Sequence, residues 1–356
     1  MESSQCGIEM KVAMLSPYYN IIYRGAEQFG EHLQQALKPL GYDIDIIGAD
    51  SFIPFIKSWE NYISASYIGS FFKKYVGIEP SLFYALYIKN LKKHNFCSYD
   101  MIWGNSEFIV AQFAKQISKK YGTPFILSSH SNKSKLLKKL AKLYPDLLAV
   151  LTPEYQHYLN GTKGNIKCIH SGVDTDLFNP MQISKQQMPE RPWFLSTASL
   201  TPAKRIHLII DAISKLKKGS LIFTSSGPEK EKLLAMAEKK IPCRYEYLGP
   251  VKSEQLPAIY NFCDYYVNAS VSEGLSTSIA EAMACNLPVV YQKDENRNWQ
   301  IDGAGIGCNV TDTNEFALAL TAVVNDSFGN IPRQQAEKFS LKHSAKLYDE
   351  EIKKIL

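Results

Sequence analysis

Short apolar runs alternate along the chain with longer stretches whose apolar residues recur three and four positions apart. Met10–Leu15 reads as a buried strand, and a helix opens near Arg24-Gly25 and runs to about Leu40, with Phe29, Leu33 and Leu37 on one stripe. Gly41 stops that helix and Tyr42–Ile47 is the next strand. Strand, glycine-bearing turn, helix, strand is the pattern of a parallel α/β sheet. The same reading predicts strands at 100–103, 124–127, 146–151 and 166–169, with helices over 107–120 and from Thr152-Pro153. Residues 179–192 are polar, carry Pro180, Pro189 and Pro192, and show no period, which places a domain linker there. The alternation then restarts with strands at 193–198, 221–224, 245–248 and 265–268 and helices at 206–216, 229–240 and 255–262. The expectation is an α/β protein with one domain over 1–180 and a second over 181–340. A last amphipathic helix covers 341–356.

A chain of 356 residues, 45% of them hydrophobic, is large enough for two packed domains. Its net charge of +5 gives no reason to expect nucleic acid as a partner. The seven cysteines, Cys6, Cys97, Cys168, Cys243, Cys263, Cys285 and Cys308, lack metal-ligand spacing and read as reduced thiols of a cytoplasmic protein. Met1–Met10 is polar and the Val12–Leu15 run is too short for a signal-peptide core. No apolar run reaches membrane-spanning length.

Two stretches break the plain alternation. Residues 52–96 interleave twelve aromatic rings, among them Phe52, Trp59, Tyr67 and Phe83, with lysines such as Lys57, Lys73 and Lys92. That composition suits a lipid headgroup region or a bulky acceptor, but a helical insertion packed on its own domain is the favoured reading. Residues 108–145 hold eight lysines and no acids, and Leu136, Leu137, Leu140 and Leu143 recur at helical spacing. The 133–143 part is a basic amphipathic helix, equally a docking face for anionic membrane and a solvated surface.

The chemistry concentrates in Ser272-Glu273-Gly274-Leu275-Ser276-Thr277 and the helix that follows it. Ser276 and Thr277 are helix-capping types, and the amides of a helix's first turn attract an anion such as a diphosphate. Glu273 precedes the turn and Glu281 follows it within the helix, so both can face one ligand. Carboxylates beside a phosphate site are repelled by it and suit hydroxyls, which are uncharged donors. Asn286 ends the helix because it tolerates the left-handed conformation, and Pro288 blocks continuation ahead of a Val289–Tyr291 strand. A capped helix with two solvent-facing acids reads equally well from this stretch alone. Lys204 and Arg205 follow another strand's C-terminal end, as Gly249 and Glu273 do, so a cationic pair, a glycine turn and the acidic loop share a rim. His130 follows the 124–127 strand at the edge where open α/β sheets bind ligands.

Five stretches in register resemble the retaining GT-B glycosyltransferases of family 4, also called glycosyl transferases group 1. They are Arg24-Gly25-Ala26-Glu27-Gln28-Phe29, Ser171-Gly172-Val173-Asp174 to Phe178, Leu200 to Lys204, Leu248-Gly249-Pro250-Val251, and Glu273 to Glu281 with Ala282-Met283-Ala284. The resemblance implies two Rossmann-like domains facing across a cleft, with the 341–356 helix crossing back to the first. It implies an enzyme moving a hexose from a nucleotide diphosphate sugar to a glycan or glycolipid hydroxyl, without metal or other cofactor. With the reduced thiols and the basic helix, the expectation is a cytoplasmic protein, peripheral at the inner membrane face. By position, Glu281 would hold the ribose hydroxyls and Glu273 the sugar hydroxyls. The amides of Gly274, Leu275 and Ser276, with Thr277 beside them, would meet the sugar or diphosphate. Lys204 would contact the phosphates, Val251 the base, Gly25 and Ala26 the diphosphate, and His130 the sugar near the reacting carbon. His130, Lys204 and Glu273 are thus the catalytic candidates. The family usually has Gly-Arg where Ala198-Ser199 stands, which leaves Ser199 in the donor site and Arg205, at a frequent glycine position, as the replacement cation. A nucleotide-sugar epimerase of the same fold, or a non-catalytic sugar-nucleotide binder, are the alternatives.

Overall fold

A computed structural model describes residues 9–17, 19, 25–49, 80–105, 107–130, 134–182 and 190–356. Among these the apolar runs form two six-stranded sheets, and every strand pairing is parallel. The first sheet holds β1 (Met10–Leu15), β2 (Tyr42–Ile47), β3 (Met101–Asn105), β4 (Phe125–Ser129), β5 (Leu147–Val150) and β6 (Ile166–Cys168) in the order β2-β1-β3-β4-β5-β6. Its helices are α1 (Gly25–Leu37), α2 (Pro80–Leu91), α3 (Phe108–Tyr121), α4 (Ser134–Ala141) and α5 (Pro153–Tyr158).

The second sheet holds β7 (Trp193–Ser196), β8 (Ser220–Phe223), β9 (Tyr245–Tyr247), β10 (Tyr265–Asn268), β11 (Val289–Gln292) and β12 (Gly305–Cys308) in the order β12-β11-β10-β7-β8-β9. Its helices are α6 (Ile206–Ser214), α7 (Lys230–Lys240), α8 (Leu256–Phe262), α9 (Thr277–Ala284), α10 (Glu295–Ile301), α11 (Thr313–Asn325) and α12 (Ile331–Glu337), and α13 (Leu341–Ile352) ends the chain. Strand side chains alternate between two cores. Phe194, Leu221, Phe223, Val267 and Val290 pack with α6, α7 and α11, while Leu195, Ile222, Tyr266, Val289 and Tyr291 pack with α8, α9, α10 and α12. Burial on both faces explains why these strands read as continuous apolar runs.

The compact units are 1–172 with 341–356, and 173–340, so the second begins ahead of the expected boundary at 180. Val173 and Phe178 account for the difference, being buried beside Trp193 and Tyr260 in the second unit's core. The final helix belongs to the first unit. Ala345, Tyr348 and Ile352 pack with Phe29, Leu33 and Trp103, and the Tyr42 hydroxyl donates to Asp349 at 2.9 Å. Of the aromatic 52–96 stretch, residues 52–79 lie outside the described residues. In the remainder Phe83, Tyr87 and Phe96 are buried, as a packed insertion requires.

Asn286 closes α9 with φ of 63°, in the left-handed region expected of it. Its own N–H donates to the Met283 carbonyl and the Leu287 N–H to that of Ala282, the paired bonds of a Schellman cap. Helices α10, α11 and α12 and strand β12 went unpredicted. The glycines that obscure β12 are required by it: a Cβ on Gly305 would lie 2.0 Å from the Val289 carbonyl oxygen, and one on Gly307 would lie 2.8 Å from the Tyr291 ring. Gly305→Ala should therefore cost about 2 kcal/mol or more by forcing β11 and β12 apart. An unchanged denaturation midpoint would show that the strands do not approach this closely.

Candidate functional site

The second sheet reverses its strand order between β7 and β10, with β8 and β9 on one side and β11 and β12 on the other. Connections from two such strands run to opposite faces and open a crevice at their carboxyl edge. Both chemically loaded stretches leave the sheet there. Residues 197–205 follow β7 and residues 269–276 follow β10. The Val271 N–H donates to the Ala203 carbonyl at 2.9 Å. Lys204 Nζ donates to Glu273 Oε1 at 2.6 Å, and these side chains are only 29% and 15% exposed. Partial shielding from water strengthens the pair over an open surface one. The shared rim read from the sequence thus becomes direct contact between cation and carboxylate.

Helix α10 holds the acidic loop from behind. Arg297 is fully buried, donates to the Asp294 carboxylate through Nε at 2.8 Å, and reaches Asn268 Oδ1 and the Ser270 carbonyl through Nη1, both at 2.9 Å. Asn296 Nδ2 donates to the Glu273 carbonyl at 3.3 Å. Gln300 accepts from the Ser276 N–H at 3.1 Å and donates to the Ser276 carbonyl at 2.7 Å. The sequence hid these residues because 295–301 is polar and offers no apolar stripe. Its one signal is Asp294, whose side chain accepts from the Arg297 N–H as a helix N-cap.

The Ser276 amide, expected to face the sugar or diphosphate, donates to Gln300 instead. Ser276 occupies the N-cap position of α9 without its hydroxyl capping an amide, and its Oγ lies 3.2 Å from Ser278 Oγ. Gly274 and Leu275 form the turn ahead of it, and Thr277 is the first residue of the helix. Deeper in α9, Glu281 accepts a hydrogen bond from the Tyr260 hydroxyl at 2.8 Å. Part of this residue reaches solvent. Burial of much of its carboxyl raises its pKa to about 7, against the lowering effect of Tyr260.

Ser199 and Arg205 lie in the same loop as Lys204. Arg205 has φ of 52°, a left-handed conformation that explains why glycine also suits this position. Val251 lies half-buried in the turn after β9, next to Gly249 at φ of 70°.

The first sheet reverses its order between β1 and β3, and Gly25 and Ala26 open α1, the helix that follows β1. Arg24 lies outside the described residues. His130 directly follows β4, with Nδ1 3.2 Å from Ser171 Oγ and its ring edge-on to Phe29 at 4.4 Å between centroids. Burial lowers its pKa to about 4, so the imidazole is neutral near pH 7. Among the described residues no group of three His, Cys, Asp or Glu side chains is placed to hold a metal ion. No described helix is long and apolar enough to cross a membrane.

Residues 191–326 match the family described as glycosyl transferases group 1. The chain is 22% identical over 328 residues to the alpha-monoglucosyldiacylglycerol synthase of Acholeplasma laidlawii, covering 80% of this chain and 81% of the relative. Its fold is similar to that of the sucrose-phosphate synthase of Thermosynechococcus elongatus, with a TM-score of 0.78 at 16% identity over 97% of this chain and 99% of that one. The Anabaena protein HepE in complex with UDP and glucose aligns with a TM-score of 0.68 at 16% identity over 97% of this chain and 100% of that one. The two domains follow the GT-B plan of these neighbours.

Replacing Gln300 with Leu keeps side-chain bulk but strands the Ser276 N–H and carbonyl. A loss of about 2 kcal/mol in denaturant stability is expected. A neutral result would mean the loop does not depend on α10.

Proposed function

With a group 1 glycosyltransferase domain over residues 191–326 as the premise, we propose that the protein is a retaining transferase that moves a hexose from a nucleotide diphosphate sugar to a hydroxyl of a glycan or glycolipid. The observation that carries this reading is the Lys204–Glu273 pair at the point of strand-order reversal, with Glu281 on the helix that follows.

In this reading Glu281 accepts from the ribose hydroxyls and Glu273 from the sugar hydroxyls. Lys204 and Arg205 meet the diphosphate, with the amides of Gly274 and Leu275 and the nearby Ser199 and Thr277. Val251 lies against the base. In the first domain the same reading assigns ligand contact to Gly25, Ala26 and His130. Because His130 is neutral near pH 7, its part is a polar contact rather than donation from an imidazolium.

The step needs no protein nucleophile. The acceptor oxygen bonds to the anomeric carbon on the face the diphosphate leaves, the bond to the phosphate oxygen breaks, and the acceptor's proton passes to that oxygen. Lys204 and Arg205 stabilise the negative charge that grows on the leaving group, the charge a metal ion would otherwise meet. The HepE complex with UDP and glucose makes UDP sugars the first donors to test.

The basic helix bears on the acceptor. Lys135, Lys138, Lys139 and Lys142 are exposed around buried Leu137 and Leu140. Lys138 lies over the Tyr158 ring at 4.5 Å and Lys115 over the Tyr144 ring at 5.8 Å, and both tyrosines are exposed. Cations with amphipathic rings on one surface favour anionic lipid, where a glycolipid acceptor would be met.

Glu273→Ala and Lys204→Ala should each lower transfer from UDP-, GDP- or ADP-hexose about 100-fold or more while the fold persists. Near-normal turnover in both would refute the assigned site. Proton NMR of the product should show the donor's anomeric configuration retained, whereas donor conversion without acceptor would identify an epimerase. Charge reversal at Lys138, Lys139 and Lys142 should abolish sedimentation with anionic phosphatidylglycerol vesicles. Binding unaffected by that change would exclude α4 as the lipid-facing surface.

A further inference from the structure

Behind Glu281 lies a line of buried and half-buried hydroxyls that the transfer step does not use. Tyr260 and Tyr266 are both fully buried, on α8 and β10. Thr197 Oγ1 sits 2.9 Å from the Tyr260 hydroxyl and 3.1 Å from that of Tyr266. The Tyr260 hydroxyl is 2.8 Å from Glu281 Oε2 and 3.3 Å from the Ser278 carbonyl. Each hydroxyl has one proton to give, which fixes the direction of the line. Tyr260 spends its proton on the carboxylate, its shorter and charged acceptor. The Thr197 proton must then go to Tyr260, and the Tyr266 proton to Thr197. Helix α8, strand β10 and the loop after β7 thus point a polarised series of O–H groups at one carboxyl oxygen. Among the described residues no side chain donates to the other oxygen, Oε1.

We propose that Tyr260 and Thr197 are positioning residues that hold Glu281 by Oε2 in its ionised form and turn Oε1 toward the ribose of a nucleotide diphosphate. The proposal rests on assigning Glu281 to the ribose. A ribose hydroxyl donates, and a carboxylate accepts that bond more strongly than a carboxylic acid does. Burial works against that charge and the Tyr260 hydrogen bond supports it. The ionisable groups facing the carboxyl are Tyr260, Tyr266 and Cys285, each pushed toward its neutral form by burial. Arg333, beyond Cys285, is occupied by the carbonyls of Phe178, Ala284 and Thr175. The hydroxyl line is therefore the local support for the charge. Nucleotide affinity should be full well above pH 7 and fall as the pH drops through about 7 and Glu281 takes up its proton. Removing Tyr260's hydroxyl moves that fall to higher pH.

The test is calorimetric titration of the whole protein with UDP, GDP and ADP from pH 5.5 to 9, in the wild type, Tyr260→Phe, Thr197→Val and Thr197→Ser. The ligand's own phosphate titration is common to all four and cancels in the comparison. At least one nucleotide should bind the wild type. Tyr260→Phe should bind it about tenfold more weakly at pH 6.5, with the two curves converging by pH 9. Thr197→Val should shift the curve in the same direction and Thr197→Ser should restore it, which loss of packing alone would not produce. Should Tyr260→Phe fail to fold, the Thr197 pair decides. Coincident pH curves across the folded variants overturn the positioning role while leaving the nucleotide site intact. Binding of none of the three nucleotides at any pH, or equal binding of the 2′,3′-dideoxy form, overturns the ribose assignment itself.

Discussion

The contact between Lys204 and Glu273 depends on a topological fact. Their loops leave β7 and β10, neighbours in the sheet whose following connections diverge to opposite faces. Only at such a reversal does a parallel sheet leave its carboxyl edge open, so a basic loop and an acidic loop are brought to the same opening. Neither residue would carry chemical meaning alone, since surface lysines and glutamates are common. Their pairing in a partly shielded position, tied also by the Val271–Ala203 backbone bond, marks this edge as the candidate site.

Holding an acidic turn in one conformation requires its backbone groups to be satisfied. Here α10 does this with side chains instead of a ladder. Arg297 is tolerated in a dry interior because Asp294, Asn268 and Ser270 together receive its donors. Gln300 closes both backbone groups of Ser276. The turn is thereby fixed by the protein's own side chains, the condition under which the proposed site would need no reorganisation to bind. The same logic extends to Glu281, whose carboxyl is gripped on one side by Tyr260.

Much of the fold was legible because a parallel sheet covered on both faces writes itself as apolar runs. Strands β1, β2 and β10 fall where the pattern put them. Asn286 was legible as a helix end because few residues accept its backbone conformation. What stayed hidden has physical causes. Strand β12 reads as loop because close approach to β11 demands glycine at 305 and 307. Helix α10 turns buried polar groups, Asn296, Arg297 and Gln300, toward the domain with Ile301 as their one apolar companion, so its period is invisible to a hydrophobic pattern. The domain boundary came too late because Val173 and Phe178, although written in a loop, are core residues of the second unit. Within the site, the rim shared by Lys204 and Glu273 was readable and their direct contact was not. The Thr197–Tyr260–Glu281 line draws on three separated segments and carries no local motif.

The most direct measurement is a crystal structure of the protein with an intact nucleotide sugar bound. The account predicts the diphosphate against Lys204, the hexose hydroxyls on Glu273 and the ribose hydroxyls on Glu281. A nucleotide seated elsewhere on the second domain, with Lys204 and Glu273 still paired only to each other, would contradict it.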